Sequence, residues 1–141
     1  MGFFKDFELA ISHRDLIAIA QHLLSEGTET ALRSSMSRAY YGLFHVATEY
    51  AELVGVPPPS ALGGTTHSKL GVFYQTNKTG DKAFQMKMKQ VGWALKSLHE
   101  LRCKADYHLT DDISKHDAED CLARCIVKID LVEELLRDRA A

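Results

Sequence analysis

Residues 30–54 read TALRSSMSRAYYGLFHVATEYAELV, and this stretch decides the fold. Leu32, Met36, Ala39, Leu43, Ala47 and Tyr50 recur at intervals of three and four, the spacing that gathers apolar side chains along one side of an α-helix. The stretch, roughly Thr30 to Val54, contains no Pro. It stops where Gly55 leads into Pro57-Pro58-Pro59, a run with no backbone N–H to donate and no capacity to continue a helix.

The same spacing extends in both directions. Upstream, Leu16, Ile19, Ala20, Leu23 and Leu24 predict a helix over Ser12–Glu26, with Ser12 and Asp15 as a capping box and Gly27 as its stop. Downstream, a short helix is expected over His67–Gln75 behind a Thr66 cap, followed by a turn at Asn77–Gly80. Asp81 then caps a helix over Lys82–Tyr107, whose inward positions are Phe84, Met88, Val91, Leu95, Leu98, Leu101 and Ala105. A fifth helix begins behind Ser114, with Asp117 at the box position and Cys121, Leu122, Cys125, Ile129, Val132 and Leu136 on one stripe. Gly55–Thr66 is the longest loop. No internal repeat, low-complexity tract or second core interrupts the pattern, so residues 1–141 are expected to form one all-α antiparallel bundle of four to five helices.

Composition agrees. The chain has 141 residues, 45% hydrophobic and 26% charged, enough for a single core that needs neither disulfide nor metal to fold. Three Pro and nine Gly are too few for the many turns of an all-β domain. A formal net charge of −2 excludes a module that coats duplex DNA by broad phosphate neutralisation, which leaves nucleic acid only a local site. No apolar run approaches the length of a membrane span. The opening Met1–Asp6 lacks the apolar segment of a secretion signal, and Asp6 stands where a myristoylation signal needs Ser or Thr. With three Cys, an odd number, the expectation is a cytoplasmic protein with reduced thiols.

Two places depart from a plain bundle. Ser34, Arg38, Tyr41 and His45 share one face of the second helix, beside its core stripe. A guanidinium, a phenol and an imidazole can together hold a phosphate, or they can sit half-buried at a helix interface. The second place is Leu101-Arg102-Cys103-Lys104-Ala105-Asp106-Tyr107-His108-Leu109, where ionisable groups crowd the last turns of an apolar helix. Arg102 and Asp106, four apart, suit an ion pair along the helix. His99 with Cys103, and Cys121 with Cys125, would make a zinc set if their faces met. Their spacing is not that of a finger or ribbon, and a Cys on an apolar stripe is usually a small hydrophobe, so no metal is expected. No glycine-rich phosphate loop or serine elbow is present, and no cofactor is expected. Lys82, Lys87, Lys89 and Lys96 make the fourth helix locally basic, as a guide for RNA or as a solvated face. Trp93 is expected in packing or at a dimer face.

Arg38-Ala39-Tyr40-Tyr41 with Phe44-His45, then Leu101-Arg102 with Ala105-Asp106-Tyr107, resembles the HEPN family. The likeness is closest to its small stand-alone branch, and it spans helices two to five, including His67. It implies a bundle that dimerises with its motif faces opposed. It also implies a metal-independent ribonuclease marked by an Arg and a His with four to six residues between them, as Arg102 and His108 have five. The chemistry implied is transesterification at an RNA phosphate. His108 would take the 2′-hydroxyl proton and Arg102 would stabilise the growing phosphorane charge. Asp106 would orient Arg102, and Tyr107 would contact RNA or be modified by an antitoxin. Arg38, Tyr41 and His45 would wall the cleft. The branch further implies the toxin of a two-gene system, restrained by a minimal nucleotidyltransferase or similar antitoxin. An alternative is a non-catalytic member that binds nucleotide or a companion protein, and another is a structural bundle whose Pro-rich loop docks a partner. Geometry sets one condition on the catalytic pair. Residues six apart in an ideal helix are turned by roughly 240° and displaced by roughly 9 Å. Arg102 and His108 therefore converge only if the helix bends before His108, or if a partner subunit supplies one of them.

Overall fold

A computed structural model describes residues 9–140; the reading of Met1–Asp6 lies outside them. The described chain forms α1 (His13–Glu26), α2 (Glu29–Val54), α3 (Thr66–Gln75), α4 (Lys82–Tyr107) and α5 (Lys115–Ala140). A single 3-10 turn at Pro59–Ala61 interrupts the loop after α2. No strand occurs among the described residues: the fold is an all-α bundle. Among these helices none is long and apolar enough to cross a membrane.

Local chemistry sets the helix starts. The Asp15 carboxylate accepts from the Ser12 N–H at 2.8 Å, and Asp81 accepts from the Phe84 N–H at 2.9 Å. Ser114 and Asp117 bond reciprocally at 2.9 and 3.0 Å, each satisfying a donor that the helix leaves free. The cap of α3 is Thr65, not Thr66: the Thr65 hydroxyl accepts from Ser68 N–H, and Thr66 is already helical. Gly27 ends α1 in the left-handed conformation, φ 79°, which a side chain would strain.

α2 is the central helix, packed against α1, α4 and α5, and its whole expected stripe is buried. α1 corrects the sequence reading by one position. Ile17 and Ala20 face the core, whereas Ile19 is 41% exposed. α1 approaches α2 at Gly42, where a Cβ would lie 3.1 Å from Ile17 Cδ1, and Ser35 anchors it by donating to the Ala20 carbonyl at 2.7 Å. α1 is also clamped to α5. Arg14 reaches Glu133 at 2.6 Å and Asp130 at 2.5 Å, and His13 lies 2.6 Å from Glu133. The Arg14 guanidinium holds the Glu133 carboxyl down to about 2.

α3 runs antiparallel along α4. At Gly92 a Cβ would fall 2.6 Å from Gln75 Cγ and 3.1 Å from the Gln75 backbone nitrogen, so only a glycine lets the two helices lie this close. Gln75 fixes the register by donating to the Gly92 carbonyl at 3.3 Å. That register brings His67, at the other end of α3, beside His99.

Candidate functional site

The side of α2 that meets α4 carries Arg33, Ser37, Tyr40 and Phe44, spaced by four, three and four. Opposite them, the last turns of α4 present His99, Arg102, Ala105 and Asp106. Arg33 sets the end of that helix. It is buried, and its guanidinium donates to the carbonyls of Ala105 at 3.0 Å and His108 at 3.1 Å, and to that of Asp111. Its Nε donates to Glu29 at 3.0 Å. The carbonyls that a helix C-terminus leaves unpaired thus receive a cation on the end where the helix dipole is negative.

One turn further in lies Arg102, 6% exposed. Its Nη1 donates to Asp106 at 3.2 Å, and the Ser37 hydroxyl donates to the same carboxylate oxygen at 3.3 Å. Its Nη2 lies 3.2 Å from His99 Nε2. A guanidinium has no acceptor, so His99 Nε2 accepts and the ring proton sits on Nδ1. The guanidinium carbon stands 5.4 Å from the Tyr41 ring centre and 5.8 Å from those of Tyr40 and Tyr107, within cation–π range of all three. The Arg102 Nε–H is buried and has no partner among the described residues.

His67 completes the cluster. Its ring stacks on His99 with centres 4.4 Å apart, and its Nδ1 lies 2.7 Å from the Tyr40 hydroxyl. Burial, then the neighbouring His99 and Arg102 charges, lower the His67 imidazole below its ordinary value near 6.5. Burial and Arg102 do the same to His99. Burial raises the Tyr40 phenol well above 10, which keeps it protonated. At neutral pH the site is therefore one fixed guanidinium, paired with Asp106, beside two uncharged imidazoles and a neutral phenol.

The expected site residues separate into two groups. Arg102, Asp106, Tyr107 and Tyr41 come together as described. His108 does not join them. α4 stays helical through Tyr107, and the His108 N–H still donates to the Lys104 carbonyl at 3.0 Å. The helix therefore neither bends nor frays before His108, and within one subunit the pair fails to converge. The His108 ring is 59% exposed and faces Asp111 at 3.6 Å. Arg38 and His45 lie on the other side of α2, in a cleft of about 790 Å³ against Leu9, Ile11, His13 and Leu16. Burial, then His13, lower the His45 imidazole. Tyr41 alone belongs to both places, lining the cleft with one edge and Arg102 with its face.

Arg33, Ser37 and His99 were not legible as site residues. For Arg33 and Ser37 the signal is the stripe one residue before Ser34, Arg38, Tyr41 and His45, an Arg and a Ser in phase with Tyr40; His99 lies on α4, outside that stripe. Cys121 and Cys125 are fully buried in α5, and no three His, Cys, Asp or Glu side chains among the described residues gather as a metal site. Trp93 is 54% exposed rather than packed. Comparison with family models, curated proteins and solved structures returned no match.

Proposed function

We propose that the protein is a HEPN-type, metal-independent ribonuclease acting as a homodimer, the toxin component of a toxin–antitoxin or defence system. The observation that carries this reading is the Arg102 guanidinium, a buried cation paired with Asp106, with one N–H unpartnered among the described residues, set among imidazoles and aromatic rings. A phosphodiester brought to it would gain charge-assisted hydrogen bonds in a site of low dielectric, where they strengthen as charge grows on the phosphorane oxygens.

The base role falls to His67. The His99 lone pair is engaged by Arg102, which makes His99 a positioning residue, whereas His67 holds only Tyr40 through Nδ1. With its Nδ1–H donating to Tyr40, His67 presents Nε2 as an uncharged base. It takes the 2′-hydroxyl proton, the 2′ oxygen bonds to phosphorus, and the bond from phosphorus to the 5′ oxygen breaks. Water supplies the proton to that oxygen, and His67 returns its own to solvent. The products are a 2′,3′-cyclic phosphate and a 5′-hydroxyl. Asp106 orients Arg102. Tyr107, 70% exposed at the mouth, contacts RNA or takes a modification from an antitoxin.

Cleavage of labelled single-stranded RNA in EDTA tests the reading. Arg102→Ala is expected to slow it by about 10²–10³-fold and His67→Gln by about 10²–10⁴-fold. A comparable loss in His108→Ala returns the base role to His108, reached from a partner subunit. Cleavage unaffected by Arg102→Ala overturns the nuclease reading. A second reading, a non-catalytic protein that binds nucleotide or a companion such as a minimal nucleotidyltransferase, is favoured by one observation. Leu9, Ile11 and Leu16 give the cleft beside Arg38 an apolar wall suited to an adenine ring or a protein surface. Intact RNA together with saturable nucleotide binding would establish it.

A further inference from the structure

On the side of α4 turned away from Arg102, a groove of about 500 Å³ runs between α4 and α5. Its apolar strip is Trp93 and Ala94 from α4 with Ala123 and Val127 from α5. Trp93 is 54% and Val127 57% exposed, two large apolar side chains, one from each helix, with the small Ala94 and Ala123 beside them. Gln90 to Ser97, the α4 wall, covers about two helical turns, or roughly 10 Å.

The charged side chains that line this strip are cationic, with Asp120 beside Arg124 at its edge. Arg124 and Lys128 line it from α5. On α4, Lys89 and Lys96 stand four before and three after Trp93, its neighbours on the helix surface. Lys89, Lys96 and Lys128 form no ion pair among the described residues. Arg124 is steadied by donating to Ser97 at 2.9 Å, and its single carboxylate contact, Asp120, is at 3.9 Å.

We infer that this groove docks an amphipathic helix of a partner protein, whose two or three apolar anchors are edged by carboxylates. Two parallel ridges with small residues between them accept a third helix by ridge-in-groove packing, with anchors at i, i+3, i+4 and i+7. The cationic rim selects the acidic flanks of that helix and excludes basic ones. A second copy of this chain is the wrong occupant, since self-pairing about a two-fold axis would set Lys89, Lys96, Arg124 and Lys128 against one another. A single-stranded nucleic acid would find one indole to stack on, where such strands use several aromatic side chains for successive bases. So small a contact gives micromolar affinity, with most of it anchored on Trp93.

Trp93 is the sole tryptophan of the chain, so its emission reports the groove directly. The probe is a synthetic amphipathic helix of about four turns, with Leu anchors flanked by Glu, beside a control with Lys at every Glu. The acidic peptide is expected to shift Trp93 emission to the blue, saturably and less strongly as salt rises. In Arg124→Glu/Lys128→Glu, whose helicity is checked by circular dichroism, the acidic peptide binds at least about tenfold more weakly and the basic one binds instead. Absence of any shift at millimolar acidic peptide overturns the proposal, as does an equal response to both peptides. A blue shift that grows with protein concentration alone, with a sedimenting dimer abolished by Trp93→Ala, overturns it in favour of a second copy. Quenching by oligouridylate that the acidic peptide fails to displace overturns it in favour of nucleic acid.

Discussion

Arg33 and Arg102 are both buried, and both reach the last turns of α4. Arg33 has its guanidinium surrounded by backbone carbonyls and Glu29, acceptors fixed by the fold. Arg102 has one carboxylate, one imidazole nitrogen and three aromatic faces, and an N–H left over. A structural cation and one available to a ligand differ in how fully their donors are satisfied. A saturated donor set belongs to the fold, while an incomplete one beside neutral, mobile-proton groups can gain a partner in a transition state.

The largest loss of activity is expected at Arg102. Arg102→Ala should lower the cleavage rate by about 10²–10³-fold, the cost of a lost electrostatic donor. Arg102→Met/Asp106→Leu, which removes both charges of the pair and roughly keeps their volume, should change stability by no more than about 1 kcal/mol while losing the same activity. Urea unfolding followed by circular dichroism, run beside the RNA assay, separates the two. A Met/Leu variant destabilised by about 3 kcal/mol, the cost expected of Arg33→Ala, would make Arg102 another Arg33.

Arg33 should behave in the opposite way. Arg33→Ala strips several charge-assisted bonds from the carbonyls ending α4, and should cost about 3 kcal/mol in urea unfolding. Arg33→Lys should recover little of it, because a point charge cannot span the carbonyls of Ala105, His108 and Asp111 as a planar fork does. Full stability in Arg33→Lys would show that charge alone, not geometry, holds the end of α4.

Much of this was legible from periodicity, and the misses share a cause. The core stripe of α2 was readable because six apolar positions, Leu32 to Tyr50, hold one phase over about five turns, and Arg102–Asp106 because a pair four apart needs only the helix itself. A core stripe has two flanks, however, and they are a single residue apart in sequence. Arg33, Ser37 and Tyr40 face α4, while Ser34, Arg38 and His45 face the α1 side. Which flank meets which neighbour is decided by how the helices pack, and no spacing within α2 carries it. The same holds for Ile17 and Ile19 on α1. His67 and His99 meet only because Gly92 sets the register of α3 on α4, a contact between residues 17 apart in sequence.

The imidazoles sharpen the comparison through pH. His67, His99 and His45 all have folded values below their ordinary 6.5, so the unfolded chain binds protons more readily than the native one. Stability is then fully present above about pH 6.5 and declines as pH falls through the lowered values. His67→Gln/His99→Gln, which keeps an acceptor for Arg102, should flatten that decline between pH 6.5 and 5 in urea melts, leaving the share of His45. Glu133, held down to about 2 by Arg14, acts in a separate window: its contribution is lost only between the ordinary 4.5 and 2. An unchanged slope in the double variant would mean that both rings protonate in place.

The smallest effect is expected at His108, six residues beyond Arg102. Its ring is exposed and leans on Asp111 across 3.6 Å, a surface pair of the kind that contributes little, and its N–H and carbonyl, which do hold structure, belong to the backbone. His108→Ala should therefore leave stability within about 0.5 kcal/mol and, if each subunit cleaves with its own residues, leave the rate within about twofold. The measurement has most meaning beside mixed dimers. If His108→Ala abolishes cleavage alone, yet co-assembly with Arg102→Ala subunits restores part of it, the base crosses the dimer interface and His67 is its support. If His108→Ala is silent and His67→Gln is not, the cluster that α2, α3 and α4 assemble within one chain is complete in itself.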